Sequence, residues 1–257
     1  MMKKIKDFLN KKNKSKIVCL TSFSKNIANI LDRYCDVILV GDSLANVLYG
    51  MKNTHGITVS TMANHGASVK AGVKKSLLVI DMPKNSYNTS RTAIKNAKFL
   101  IKKSKCDAVK IESNSKNFHI ITALTNIGIK VMGHIGYTPQ FKKKFKIQGL
   151  TKRDEKKLLL ESKEIEKAGA FGIVLECIKK ETARKITKEL KIPTIGIGSS
   201  VHCDGQILVT EDILGLSGFY PKFVKKYINL NKIIEKSVQK YRKEVITRKF
   251  PNKNNSY

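Results

Sequence analysis

The sequence predicts an α/β fold, a (β/α)8 barrel of the TIM type with a C-terminal helical extension, on three observations. Short apolar or β-branched runs alternate with amphipathic stretches of helical period, the mark of βαβ units. Eight such runs fall within about 200 residues, the barrel count, whereas a doubly wound sheet would have fewer strands or more residues. Four of the runs deliver an acid at their C-terminal side: Asp42 after 37–41, Asp81 after 77–80, Glu112 after 108–111 and Glu176 after 173–175. In a barrel of buried parallel strands, those ends converge on one site.

The elements follow in order. Residues 17–21 read as the first strand and 25–34 as its helix; 37–40, 77–80 and 108–111 are the second, third and fourth strands. Between the last two, 90–103 sets Ala93, Ala97, Leu100 and Ile101 on one face, as an outer-layer helix requires. The fifth strand is 129–133. The sixth is 172–175, preceded by a helix over 154–168 that Gly169 caps. The seventh is 193–198 and the eighth falls within 207–216. A helix over 223–245 carries the apolar stripe Val224, Tyr227, Ile228, Ile234, Val238, Tyr241 and Val245, and is expected to pack on the barrel or on a neighbouring subunit. No linker or repeat interrupts residues 1–257, which read as one domain, and 251–257 reads as a frayed end.

With 257 residues and 41% hydrophobic content, the chain is long enough to bury a large core. No apolar run approaches the roughly 18 residues that span a bilayer. The first 16 residues carry seven lysines without an apolar core or an arginine, which fits neither a secretion signal nor a mitochondrial presequence, so a cytoplasmic location is expected. Five scattered cysteines form no Cys-x-x-Cys pair and imply neither a disulfide framework nor zinc. The net charge of +30 would ordinarily suggest nucleic acid. The excess is nearly all lysine, is spread along the whole chain, and has no aromatic stacking motif beside it, so it reads as a compositional bias of solvated positions.

Asp42, Asp81 and Glu112 follow different strands and can face one point only in a closed barrel. A hard cation such as Mg2+ takes oxygen ligands of this kind. Lys110 stands two residues before Glu112, on the same strand face, where a buried lysine requires carboxylates or a substrate anion. Ser43 can add a hydroxyl to that anion. Glu176 differs in its apolar setting, which raises a carboxylate's pKa and suits proton abstraction from carbon. His134, expected at the end of the fifth strand, reads as a proton shuttle or a supporting hydrogen-bond partner. The other histidines share no metal spacing. The glycines of Gly196-Ile197-Gly198 stand where many barrels hold phosphate, or where a strand end packs tightly.

At this point the residues resemble a known family. Val40-Gly41-Asp42-Ser43-Leu44, Asp81-Met82-Pro83, Val109-Lys110-Ile111-Glu112, the segment from Gly133 through His134 to Gln140, Leu175-Glu176-Cys177, the glycine turn at 195–198, the segment from His202 to Val209, and Pro221-Lys222-Phe223-Val224 are similar to the motifs of the ketopantoate hydroxymethyltransferases, in the same order. The resemblance implies a Mg2+-dependent barrel that transfers a hydroxymethyl group from 5,10-methylenetetrahydrofolate to 3-methyl-2-oxobutanoate, giving 2-dehydropantoate for pantothenate and coenzyme A synthesis. It gives Asp42, Asp81 and Glu112 the metal roles. Asp42, Ser43, Asp81 and Lys110 would contact the oxo acid, and Glu176 would be the base. It also implies a homo-oligomer, often a decamer. The chain departs from the family pattern at Ser24, Lys84, Ser113, Asn114, Leu150 and Ser200, none of them a ligand or the base. Two other readings compete. One is an enolate-forming barrel of the phosphoenolpyruvate mutase and isocitrate lyase type, against which Asp204-Gly205-Gln206 and Pro221-Lys222-Phe223 argue. The other is a basic nucleic-acid-binding protein on a degenerate barrel.

Overall fold

The computed structural model describes residues 2–142, 144–218 and 220–257. The chain divides into two compact units, 1–209 and 210–257. In the first, eight parallel strands close in sequence order: β1 Ile17–Thr21, β2 Val37–Val40, β3 Leu77–Asp81, β4 Ala108–Glu112, β5 Val131–Gly136, β6 Gly172–Glu176, β7 Thr194–Ile197 and β8 Gly205–Leu208. Pairing of Ile17 with Gly205 through Leu20 with Leu208 seals the ring. The eight-stranded barrel expected from the sequence is therefore present.

Helices α1 Met2–Asn10, α2 Lys25–Leu31, α3 Leu44–Val47, α4 Val59–Lys70, α5 Ser90–Ser104, α6 Phe118–Asn126, α7 Lys152–Lys167 and α8 Lys180–Glu189 belong to the same unit. Strand residues alternate between two cores. Ile38, Val40, Leu78, Ile80, Val109, Ile111, Ile173 and Leu175 pack with helix residues such as Ala63, Ala97, Leu100 and Ile186. Ile17, Cys19, Val37, Leu39, Leu77, Val79, Ala108, Met132 and Val174 pack with one another in the barrel interior. On β4 the interior face therefore runs Ala108, Lys110, Glu112. In α5, Ala93, Ala97 and Leu100 are buried as the spacing predicts, and Gly169 leaves α7 at φ +89, a conformation that favours glycine.

Most boundaries shift by a residue or two, and four elements deserve a reason. β5 begins two residues later and runs on to Gly136, because its pairing with both β4 and β6 draws in two glycines and His134; the histidine thus lies within the strand. β8 is Gly205–Leu208, and the apolar residues after it form helix α9, Thr210–Leu214, rather than a strand within 207–216. The last helix, α10, spans Leu230–Ile246 and not 223–245, and α2 stops at Leu31. The lysine-rich start is helix α1.

Helix α1 buries Ile5 and Phe8 among the barrel-interior residues. Phe8 meets Phe171 edge to face, ring centroids 5.3 Å apart, and a Cβ on Gly172 would stand 2.9 Å from the Phe8 ring. Lys4 donates to the Ser76 carbonyl and Lys12 to Asp204 Oδ2 at 2.8 Å. These partners all precede strands, so α1 closes the N-terminal mouth of the barrel. All five cysteines are free and buried, consistent with a structural role.

In the second unit, the Tyr227 amide donates to the Ile213 carbonyl of α9, and Ile234, Val238 and Tyr241 of α10 are exposed. No described helix is long and apolar enough to cross a membrane.

Candidate active site at the C-terminal rim

Strand register brings the expected residues together. Asp81 is the register partner of Lys110, Glu112 of His134, and Gly136 of Glu176. Asp42 follows β2 by two residues, and its amide donates to Asp81 Oδ2 at 3.0 Å. Lys110 Nζ lies 2.7 Å from Asp81 Oδ1 and 3.4 Å from His134 Nδ1. On its other side, His134 Nε2 stands 3.1 Å from Glu176 Oε2, out of line for a hydrogen bond, while Nδ1 is 3.9 Å from Glu112 Oε1. Gly136 adopts φ +98, and a Cβ there would collide with the Glu176 carbonyl, so only glycine lets β5 run this close to the glutamate. Ser43 sits one residue beyond Asp42 at the start of α3, partly exposed, with its hydroxyl near the position a Cβ on Gly41 would take.

Burial sets the electrostatics. Asp42 is raised to about 7 by burial and by the Asp81 charge, against the opposing pull of Lys110 and a hydrogen bond from Gln140. Glu176 is also raised to about 7 by burial, with Lys110 opposing. Glu112 is pushed well above the usual range by burial and by Asp42. For Lys110 burial acts to lower the pKa, but Asp81, Asp42 and Glu112 outweigh it and hold the ammonium charged. His134 is lowered by burial and by Lys110, and is neutral. Four carboxyl groups thus crowd one ammonium and a neutral imidazole in a water-poor site, and burial holds Asp42, Glu112 and Glu176 back from full ionisation.

That donor set can be tested against a divalent cation. Among the described residues no three His, Cys, Asp or Glu side chains form a ready-made cage. Mg2+ does not need one, since it is commonly held by one or two carboxylates and completes its shell with water and substrate oxygens. Asp42 and Asp81 stand side by side, and Asp81 Oδ1 is buried with Lys110 beside it and no hydrogen-bond donor. The residues fit Mg2+.

Two residues beyond the expected set belong to the site. Gln140, past β5, donates through Nε2 to Asp42 Oδ2 at 2.8 Å and through its backbone amide to Glu112 Oε2 at 3.0 Å. Tyr87, past β3, donates to Gln140 Oε1 at 2.5 Å. Both lie in loops where no period marks a residue as inward, although Gln140 closes one of the matching motifs. Gly196 packs tightly: a Cβ there would press on Cys203 and Gln206.

A closed parallel barrel with its acids gathered at the C-terminal rim places the chain in the class of (β/α)8 enzymes. Solved structures of similar fold include phosphoenolpyruvate phosphomutase from Streptomyces platensis subsp. rosaceus (TM-score 0.64, 12% identity, 95% of this chain and 87% of that one). A phosphonopyruvate hydrolase complexed with oxalate and Mg2+ is another (TM-score 0.62, 11% identity, 98% and 93%). The chain belongs to the ketopantoate hydroxymethyltransferase family, whose model matches residues 2–253. It is 51% identical to the 3-methyl-2-oxobutanoate hydroxymethyltransferase of Pelagibacter ubique (strain HTCC1062) over 257 residues, all of both chains. Against a Zymomonas mobilis enzyme of that name it is 45% identical over 96% of this chain and 92% of the other. The chain is therefore a transferase of pantothenate biosynthesis. The mutase likeness is one of fold, and neither the mutase nor the nucleic-acid reading is favoured.

Proposed function

We propose that this barrel transfers a one-carbon unit from 5,10-methylenetetrahydrofolate to C3 of 3-methyl-2-oxobutanoate, giving 2-dehydropantoate and tetrahydrofolate, with water supplying the hydroxyl oxygen. The observation that carries the reading is Glu176: a carboxylate whose side chain is only 16% exposed, its pKa pushed up to about 7, on the same rim as Lys110 and the paired aspartates. A base of that strength is half-ionised near neutral pH and strong enough to take a proton from carbon. Neutral His134, 3.1 Å away, limits where its carboxylate can turn.

Asp42, Asp81 and Glu112 would hold Mg2+, which when bound supplies a Lewis acid for the keto and carboxylate oxygens of the substrate. Lys110 offsets the negative charge that develops at the oxo acid once Glu176 has taken the C3 proton, and Ser43 offers it a hydroxyl. Water replaces one of the two carbon–nitrogen bonds of the methylene bridge with a carbon–oxygen bond. The carbanionic C3 bonds to the same carbon as the second carbon–nitrogen bond breaks, and the two folate nitrogens take up the proton from water and the one Glu176 removed. The pairing of Lys110 with Asp81 keeps the ammonium charged for this role. We place the enzyme in the cytoplasm as a homo-oligomer, with the decamer that the family resemblance implies and the exposed apolar residues of α10 as a subunit contact; light scattering that gives the mass of one chain overturns the oligomer.

The test is exchange of the C3 proton for deuterium, followed by NMR in D2O. Exchange should require Mg2+, and Glu176→Gln should slow it by about 10³-fold. Metal-replete wild-type protein that exchanges no faster than buffer would sink the mechanism.

A further inference from the structure

Gln140 is 2% exposed, and its backbone N–H and both ends of its side-chain amide are engaged. Its amide nitrogen donates to Asp42 Oδ2 and, at 3.1 Å, to the Met82 carbonyl; its amide oxygen accepts from the buried Tyr87 hydroxyl; its backbone N–H takes Glu112 Oε2. A peptide carbonyl only accepts, so Met82 dictates which end of the amide carries the nitrogen. Tyr87 fixes the other end. The amide cannot flip without pointing its oxygen at both the Met82 carbonyl and Asp42. It therefore presents N–H to one oxygen of Asp42, and the same residue presents N–H to one oxygen of Glu112.

We propose that Gln140, locked by Tyr87, is a positioning residue for the two carboxylates: by occupying one oxygen of each, it fixes which oxygen of Asp42 and of Glu112 is left for a divalent cation. The inference rests on the reading that this rim binds Mg2+. Three loops, after β2, β3 and β5, are coupled through one side chain, with 98 residues separating Gln140 from Asp42. Hydrogen bonds of this outer kind orient carboxylate ligands and tune metal affinity.

Mg2+ titrated calorimetrically into the intact protein without substrate reads the effect apart from turnover. Gln140→Leu keeps the volume and removes the polar groups of the side chain, and should weaken Mg2+ binding about tenfold or more. Tyr87→Phe frees one end of the amide and should weaken it roughly threefold. Because Tyr87 acts through Gln140, the double variant should bind no more weakly than Gln140→Leu alone, a non-additivity that a merely structural role would not produce. Gln140→Leu within about twofold of wild type, or additive losses in the double variant, overturns the proposal. If Gln140→Leu does not fold, Tyr87→Phe decides: an unchanged affinity overturns it. Wild-type protein that takes up no Mg2+ fails the magnesium reading itself, an outcome distinct from intact binding that the variants leave untouched.

Discussion

Strand β2 is preceded by Asp36 and followed two residues on by Asp42; β4 is preceded by Asp107 and ends on Glu112. The first of each pair stands at the end of the barrel that α1 closes, the second at the open rim. At the closed end, Asp36 takes the Val18 amide and Lys11 at 2.7 Å, and Asp107 takes the Leu78 amide with Lys4 at 3.6 Å. Asp204 gathers Lys12 together with the Thr194 amide and hydroxyl. Asp32 accepts from the amides of Lys74, Lys75 and Ser76; burial alone would raise its pKa, and those hydrogen bonds hold it below the ordinary value. At the rim, Asp42, Glu112 and Glu176 are raised, and Lys110 is the lysine they face. Folding satisfies one set of acids and leaves the other short of partners, so the first stabilises the barrel while the second weakens it.

Removing the single ammonium strikes the rim hardest. Lys110→Met should lower turnover by about 10²-fold or more, while added Mg2+ keeps the protein folded. A variant with near wild-type turnover would mean that the rim's charge is balanced elsewhere. At the closed end the order of effects reverses: Asp204→Ala should cost about 3 kcal/mol of stability in chemical denaturation, with turnover per folded molecule unchanged. Loss of turnover without loss of stability would erase the distinction between the two ends.

A pH series separates them by sign. Asp42 and Glu176 have folded pKa values near 7 against ordinary values of 3.8 and 4.5. Their contribution to stability is therefore full below the ordinary values and lost as pH rises through 7. Metal-free protein should lose that stability from weak acid to neutral pH, Mg2+ should restore it with release of protons, and Asp42→Asn should flatten the slope. Asp32 runs the other way, contributing above its ordinary value of 3.8 and losing that contribution as pH falls further. The smallest effect belongs to Lys11→Ala, whose ion pair with Asp36 is partly exposed, at under about 1 kcal/mol in the same denaturation measurement. A larger loss would show that the closed end depends on its charges more than on Phe8 and Ile5.

The rim was legible in the sequence because each of its acids is anchored to a strand whose apolar run announces it. Asp81, Lys110, Glu112 and Glu176 inherit their direction from strand alternation, and closing the ring then puts them together. Gln140 and Tyr87 carry no such signal, since a loop has no period and their burial depends on partners far away in the chain. The closed end was illegible for a related reason. Seven lysines conceal the two residues of α1, Ile5 and Phe8, that face the barrel, and the acids those lysines meet are up to 192 positions away. β8 was misplaced because the apolar residues beyond Leu208 look like a strand and yet turn into α9, whereas the strand itself starts on Gly205, against the Ile17 carbonyl.

Helix α1 is made well before several of its partners. Phe171, Gly172 and Asp204 must all exist before Phe8 and Lys12 have anywhere to dock. At ordinary rates of synthesis, the 192 residues between Lys12 and Asp204 amount to roughly 10–40 s. Over that interval the nine residues of α1 are too few to hold as an isolated helix, so their order depends on a barrel end that is complete only once the segment through Asp204 exists.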